Sequence, residues 1–288
     1  METDNARDGF VKMPYPLMDT AENRHDYCCY LKTLDIVDQC VGEILNKLEE
    51  LNLADNTAIM FTTDHGIAFP QMKGTLYDSG TGVALMLKIP GKRPHVSDAL
   101  VSHVDVFPTV CEILGVDKPD WLQGSSLMPI INEEKDEINR YIFTETTYHA
   151  TYEPARAVRT KTMKLIRFFE DDTKIRFANI DASACKDTFL TSPMPHMQRP
   201  KEMLFDLVAD PAERVNLIGV PEYTDAYDEL SSLLDQHMIE TNDPMLKGKL
   251  ELRDPWTMNK IDAPDPDDDV YNCHGEIVKK SKLTNNPH

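Results

Sequence analysis

Three adjacent residues, Asp64-His65-Gly66, offer a carboxylate oxygen and an imidazole nitrogen on neighbouring positions, followed by a residue that permits a sharp turn. Such a pair can reach one divalent ion only where the chain bends abruptly. The same three letters equally describe a strand that ends in a polar turn, with Asp64 capping backbone and His65 at the surface. Seven residues after Gly66 comes Lys73, which opens the polar, glycine-containing loop KGTLYDSGTG. A lysine ammonium on that rim could hold an oxyanion while a metal polarises it, the charge pattern that hydrolysis of a phosphate or sulfate ester requires. A solvated lysine on a surface loop is the competing reading.

The elements that would position these groups follow from the hydrophobic pattern. Tyr27, Tyr30, Leu31, Leu34, Val37, Val41, Ile44, Leu45, Leu48 and Leu51 recur at three- and four-residue steps, which predicts a long amphipathic helix over 24–51. Asp38 falls beside that stripe, as a boundary carboxylate or a buried acceptor. TAIMFT at 57–62 is short, apolar and β-branched, as expected of a strand covered on both faces, and it runs directly into Thr63 and Asp64. Ligands of open α/β sheets collect at that carboxyl edge. Val83–Ile89 reads as a second strand, and 98–115 as a short strand followed by a helix. Beyond Asn132, YIFTET, RAVRT, MKLIRFF, KIRFANI and EMLFDL read as antiparallel strands, and 222–241 as a second amphipathic helix.

The expected fold class is α/β: a mixed sheet flanked by helices, followed by a smaller antiparallel sheet with a helix. Four regions are expected: a lead-in over 1–23, the α/β part over 24–131, the smaller subdomain over 132–259, and an acidic tail over 260–288 too poor in apolar groups to order itself.

Composition narrows the function. The 288 residues carry 30 basic and 49 acidic side chains, a net charge of −19, which argues against nucleic acid as a partner because phosphate contacts need a basic field. An anionic ligand must find a local basic pocket, and Arg156, Arg159, Lys161, Lys164 and Arg167 form one candidate group, or else an exposed strand face. No apolar run approaches the 18–20 residues of a membrane span, and the opening residues lack a basic-then-apolar export signal. Six scattered cysteines without C-x-x-C spacing suggest buried thiols rather than disulfides or zinc, which favours the cytoplasm. The methionines read as packing and loop residues.

The order FTTDHG, KGTLYDSGTGVALMLKIPG, VSHVDVFPTVCEILGV and FDLVADPAERVNL resembles the carboxyl-terminal half of sulfatases in the alkaline-phosphatase-like superfamily, similar to bacterial heparan N-sulfatase-like enzymes, over residues 24–245. The resemblance implies hydrolysis of a sulfate ester or sulfamate on a sugar or glycan. It makes Asp64 a metal ligand, usually to calcium, with His65 at the neighbouring ligand position or as a donor to the ester. It places Lys73 on the sulfate group as a catalytic and substrate contact. The segment TETTYHATYEPARAVRT would shape the substrate mouth, with His149 and Glu153 as sugar contacts. Glu145 with His149 could form an acid–base pair if both faced one cleft.

Two departures matter. The family's nucleophile is a formylglycine made from a C/S-x-P/A-x-R motif, because a hydrated aldehyde can attack sulfur and later release sulfate by returning to the carbonyl. No cysteine or serine of these 288 residues has that context, and the paired aspartates of the family's first strand have no counterpart. The expectation is a chain inactive alone, either because its catalytic half lies on an amino-terminal part, joined or separate, or because the chain is a decayed relative. A phosphomonoesterase or phosphodiesterase of the same superfamily and a non-catalytic glycan-binding or assembly subunit are the alternatives.

Overall fold

The computed structural model describes residues 10–278, so the first part of the lead-in and the last ten residues of the tail lie outside it. Helix α1, Ala21–Glu50, begins where the Thr20 side chain accepts the Asn23 backbone N–H, and it ends ahead of Asn52, whose φ is +55°. It starts three residues before the expected residue 24 because the cap, not the stripe, sets the first turn. Only its first half is covered. Tyr27 and Tyr30 pack with Leu17, Phe69, Met72, Phe177 and Phe189, whereas Leu34, Val37 and Ile44 farther along the helix are exposed, Ile44 to 62%, as is Leu51 just past its end. Asp38 is exposed too, a boundary carboxylate rather than a buried acceptor.

Strand β1, Ile59–Thr62, pairs antiparallel with β2, Leu85–Lys88, in the register Ile59↔Lys88 to Thr62↔Leu85. In place of the expected mixed sheet, the described residues here form this two-stranded antiparallel ribbon. β1 is half-buried instead of covered on both faces, and Met86 on β2 is exposed. The strand expected near residue 98 is a single bridge, Leu100↔Asn139, because Ser102 and Asp105 form a reciprocal capping box that turns the chain into helix α2, Val106–Leu114.

The smaller subdomain is a four-stranded antiparallel sheet in the order β3 (Ile142–Tyr148), β4 (Tyr152–Arg159), β5 (Met163–Phe168) and, beyond helix α3 (Ala184–Leu190), β6 (Glu202–Asp206). Alternation along the strands builds two cores. Ala155, Ala157, Ile166, Met203 and Phe205 face Leu76 and Tyr77, while Val158, Leu165 and Leu204 face Leu230, Leu234 and Met238 of helix α4, Thr224–Glu240. The small side chains of Ala155 and Ala157 let the Leu76 segment lie close on the sheet.

KIRFANI is not a strand. It makes one bridge, Lys174↔Gln198, then a 3-10 turn at Phe177–Asn179, because its apolar residues are drawn into the core beneath α1 rather than into a sheet. The acidic tail is also more ordered than its composition suggests. Over 258–278 it forms short strands β7 (Met258–Asn259), β8 (Val270–Tyr271) and β9 (Ile277–Val278). The buried Asn259 amide donates to backbone carbonyls of Pro266 and Asp268, and Lys186 of α3 approaches Asp265 at 3.4 Å. Among the described residues no helix is long and apolar enough to cross a membrane, and the cysteines form no disulfide.

A buried charge cluster fastens the two regions together. Arg159 and Lys164 are cross-strand partners on β4 and β5, so two like charges face each other and would repel. Asp78, from the loop that follows Lys73, resolves the conflict. Its carboxylate lies 2.5 Å from Lys164 Nζ and takes the Arg159 fork at 2.9–3.2 Å, and Glu213 receives both Lys164, at 2.8 Å, and the Asp78 backbone N–H. Burial alone would raise the Asp78 carboxyl, but the Arg159 hydrogen bonds and the Lys164 charge outweigh it and hold it below the usual carboxylate range. Replacing Lys164, whose side chain is 1% exposed, by Met leaves two facing carboxylates and is expected to cost about 3 kcal/mol in urea unfolding. Because Asp78 is depressed in the folded state, its contribution is complete above the unfolded value of about 3.9 and is lost as pH falls through the lower folded value. The acid limb of the stability curve should therefore be flatter in Lys164→Met than in wild type.

Candidate functional site at the carboxyl edge of β1

The chain leaves β1 at Thr63 and turns through Asp64-His65-Gly66. Gly66 does not adopt a positive φ; what it supplies is closeness. Its N–H donates to Gly80 O at 2.8 Å, and a Cβ added there would lie 1.9 Å from Ser79 O. Lys73 N in turn donates to Ile67 O at 3.0 Å. The strand end and the Lys73 loop are thus sewn into one rim by backbone hydrogen bonds.

On that rim Asp64 points outward, 86% exposed, with its Oδ2 3.5 Å from His65 Nε2. His65 Nδ1 lies 2.7 Å from the acceptor Gly66 O, so a proton belongs on Nδ1. Lys73 Nζ contacts Asp181 Oδ2 at 2.6 Å, an ion pair joining residues 108 apart. His149, at the start of the β3–β4 turn, approaches the same place: its Cδ2 would sit 3.8 Å from a Cβ on Gly74, whose φ of +77° suits glycine. Burial lowers the His149 pKa, the Lys73 charge lowers it further with a smaller push from His65, and Asp181 opposes them. The imidazole is therefore a neutral hydrogen-bonding group beside a cation.

Glu153 lies deeper. It lines a cavity of about 270 Å³ together with Lys73, and it accepts the Asn179 amide at 2.9 Å and approaches Arg199 at 3.3 Å. Burial drives its carboxyl upward, and Arg199 and Asn179 only partly offset that. Lys73, His65 and His149 are thus gathered at one rim, Lys73 and Glu153 at one cavity, and Asp64 faces outward at the edge. The sequence did not point to Asp181, Asn179 or Arg199. Only the Asn-x-Asp ending of KIRFANID hinted at a polar turn there.

The basic group between Arg156 and Arg167 is not an open anion surface. Arg156 pairs with Asp243 at 2.5 Å and Glu145 at 3.2 Å, Lys161 with Asp98, and Arg167 with Glu202 and Asp235, in addition to the Asp78 cluster. Glu145 is thereby held by Arg156, yet it shares with His149 the lining of a groove beside Leu252 and Trp256.

Sulfatase-type chemistry generally uses a metal ion and formylglycine. Asp64 and His65 are two donors, one strongly solvated, and among the described residues no group of three His, Cys, Asp or Glu side chains could hold an ion. Calcium takes six to eight oxygen ligands, so these residues do not fit a divalent metal without further carboxylates.

The profile of the family described as Sulfatase matches residues 4–116, and that of N-sulphoglucosamine sulphohydrolase, C-terminal, matches residues 69–185. An ulvan-active sulfatase of Formosa agariphila is 29% identical over 254 residues, covering 83% of this chain and 42% of its own length. An N-acetylglucosamine-6-O-sulfatase of Bacteroides thetaiotaomicron is 30% identical over 232 residues, covering 75% and 36%. A solved structure in complex with its substrate D-glucosamine-2-N,6-O-disulfate superposes with a TM-score of 0.62 at 24% identity, over 85% of this chain and 46% of that one, and shares the fold. The chain thus spans less than half the length of these relatives.

The electrostatics of the rim can be read directly. By NMR titration His149 is expected to protonate below the ordinary histidine value of about 6.5. Lys73→Ala removes a cause of that depression and leaves Asp181 attracting the proton, so the midpoint should rise; an unchanged midpoint would separate His149 from Lys73.

Proposed function

We propose that this chain, which belongs to the sulfatase family of the alkaline-phosphatase-like superfamily, is the carboxyl-terminal part of a hydrolase that cleaves a sulfate ester or sulfamate on a sugar. The observation that carries the proposal is the rim itself: Lys73 and His65 held together at the carboxyl edge of β1 by the Gly66–Gly80 and Lys73–Ile67 backbone contacts, with His149 beside them. The two relatives described above are named for ulvan and for N-acetylglucosamine-6-O-sulfate, which supports a sugar ligand without choosing one.

Each residue has a defined task in this reading. Lys73 presents three N–H donors, so it can keep Asp181 and still take a sulfo oxygen, offsetting charge that grows on the sulfo group as the S–O or S–N bond breaks. His149, neutral beside that ammonium, accepts a hydrogen bond from a sugar hydroxyl or donates one to a ring oxygen. Asp64 presents a carboxylate at the metal edge, where calcium is the ion its hard oxygen suits once further carboxylates complete the shell. The nucleophile and those carboxylates belong to an amino-terminal half.

The surface supports such a partner. From its middle onward α1 exposes Leu34, Val37 and Ile44, with Leu51 exposed just past its end, and the β1–β2 ribbon leaves an outer edge on each strand. A phosphoester substrate is the second reading, favoured only by the superfamily's shared metal edge.

The 288-residue chain purified alone is expected to show no saturable calcium binding by calorimetry. The native product, isolated from its own cells, should be extended upstream of Met1 or bound to a partner, and in either case carry a formylglycine mass change. A native product that begins at Met1 and has no partner would overturn the assignment.

A further inference from the structure

The cavity behind Lys73 holds two guanidinium groups whose hydrogen-bonding capacity is not used. It lies between the Ala155–Ile166–Met203 face of the sheet, the Lys73–Tyr77 segment and residues 175–200. Arg199 lies flat on Phe168, with Cζ 3.8 Å from the ring centre. Its Nη1 donates to Lys174 O and faces Glu153, but its buried Nε and Nη2 have no acceptor. Arg176, with a side chain 0% exposed, donates from Nη2 to Asp172 O. Its Nε and Nη1 make no hydrogen bond, although the carboxylates of Asp172 and Glu170 stand 3.4 and 3.7 Å from the group.

Buried polar groups are nearly always satisfied, and a guanidinium left with idle N–H groups in an apolar wall is costly. Glu153 faces Arg199 Nη1 with Oε1 and takes the Asn179 amide with Oε2, and neither contact reaches the idle Nε and Nη2 of Arg199 or the idle groups of Arg176. What fits is a further oxyanion, with several acceptor oxygens in the fork geometry that arginine matches. The cavity walls carry three cations, Lys73, Arg176 and Arg199, against the single carboxylate of Glu153. Its volume of about 270 Å³ lies just below that of a pocket for a drug-sized ligand, and suits one sugar unit or its substituent rather than an oligosaccharide.

We infer that this cavity is an oxyanion subsite in which Arg199, backed by Arg176, binds a second anionic substituent of the sugar whose first sulfo group rests on Lys73. The inference depends on the sulfatase reading for the place of that first group. The ligand is then a doubly anionic sugar, its second anion being either another sulfo group or the carboxylate of an adjoining uronate. Arg199 acts as a specificity-determining residue, and Arg176 holds the field behind it.

The test uses the 288-residue chain and three probes: glucosamine-6-O-sulfate, glucosamine-2-N,6-O-disulfate, and 6-O-sulfated glucosamine linked to a glucuronate. Affinities are read by chemical-shift titration. The second anion should strengthen binding roughly ten-fold or more, and the better of the two dianionic probes identifies its chemistry. Arg199→Gln should erase that gain while leaving the monosulfate unchanged. Arg199→Lys, which keeps a cation beside Glu153 and so guards against misfolding, should erase most of it for want of the planar fork. Lys73→Ala should weaken all three probes alike. If Lys73→Ala leaves the monosulfate unaffected, the sulfate role of Lys73 fails while the Arg199 effect is read independently. Equal affinity for one and two anions in wild type, a preference that survives Arg199→Gln, or no binding of the dianions at all would overturn the inference.

Discussion

Two cations facing each other across a β-ladder set the terms for the rest of this structure. Arg159 and Lys164 cannot stay opposed on β4 and β5 without a shared anion, and that anion is Asp78 from a different part of the chain. The loop that begins at Lys73 is therefore held on the subdomain by its far end. Glu213 completes the cluster and fixes the Asp78 backbone as well as its partner's charge. With Asp78 anchored, Leu76 and Tyr77 are pressed on the alanine face of β4, and Lys73 is delivered to the rim of β1.

The rim then depends on backbone proximity more than on side-chain chemistry. Gly66 allows the turn after β1 to touch the Gly80 segment, so Asp64 and His65 share an edge with Lys73 although no side-chain bond joins them. Charge is concentrated locally in a chain whose average field is negative. Lys73 is tempered by Asp181 and depresses His149, while Arg176 and Arg199 lie behind in the apolar cavity. Positive charge is thus confined to a point rather than spread over a surface.

What could be read from sequence was what local pattern determines. The 3.6-residue stripe marked α1, the apolar TAIMFT run placed β1, and its carboxyl end placed Asp64, His65 and Lys73 near one edge. Arg156–Arg167 looked like a basic face because the carboxylates that neutralise it are remote: Asp78, Asp98, Asp243, Glu202 and Asp235 come from both sides of it in sequence. KIRFANI alternates as a strand does, yet long-range packing of Phe177 and Ile180 beneath α1 bends it, and that bend is what brings Asn179 and Asp181 to the site. The tail took order from single contacts, the Asn259 amide and Lys186, that composition does not report. The exposed half of α1 has the same periodicity as the buried half, so sequence could not tell which part is covered within this chain.

The central claim is that these residues grip a sulfo group for a reaction whose nucleophile is supplied by an amino-terminal half. The most direct measurement is sulfate release from glucosamine-2-N,6-O-disulfate by the native assembly, the 288-residue chain alone and the native assembly carrying Lys73→Ala. The account predicts release by the native assembly, none by the chain alone, and a loss of about a hundred-fold or more with Lys73→Ala. Sulfate release by the chain alone, or an assembly indifferent to Lys73→Ala, would contradict it.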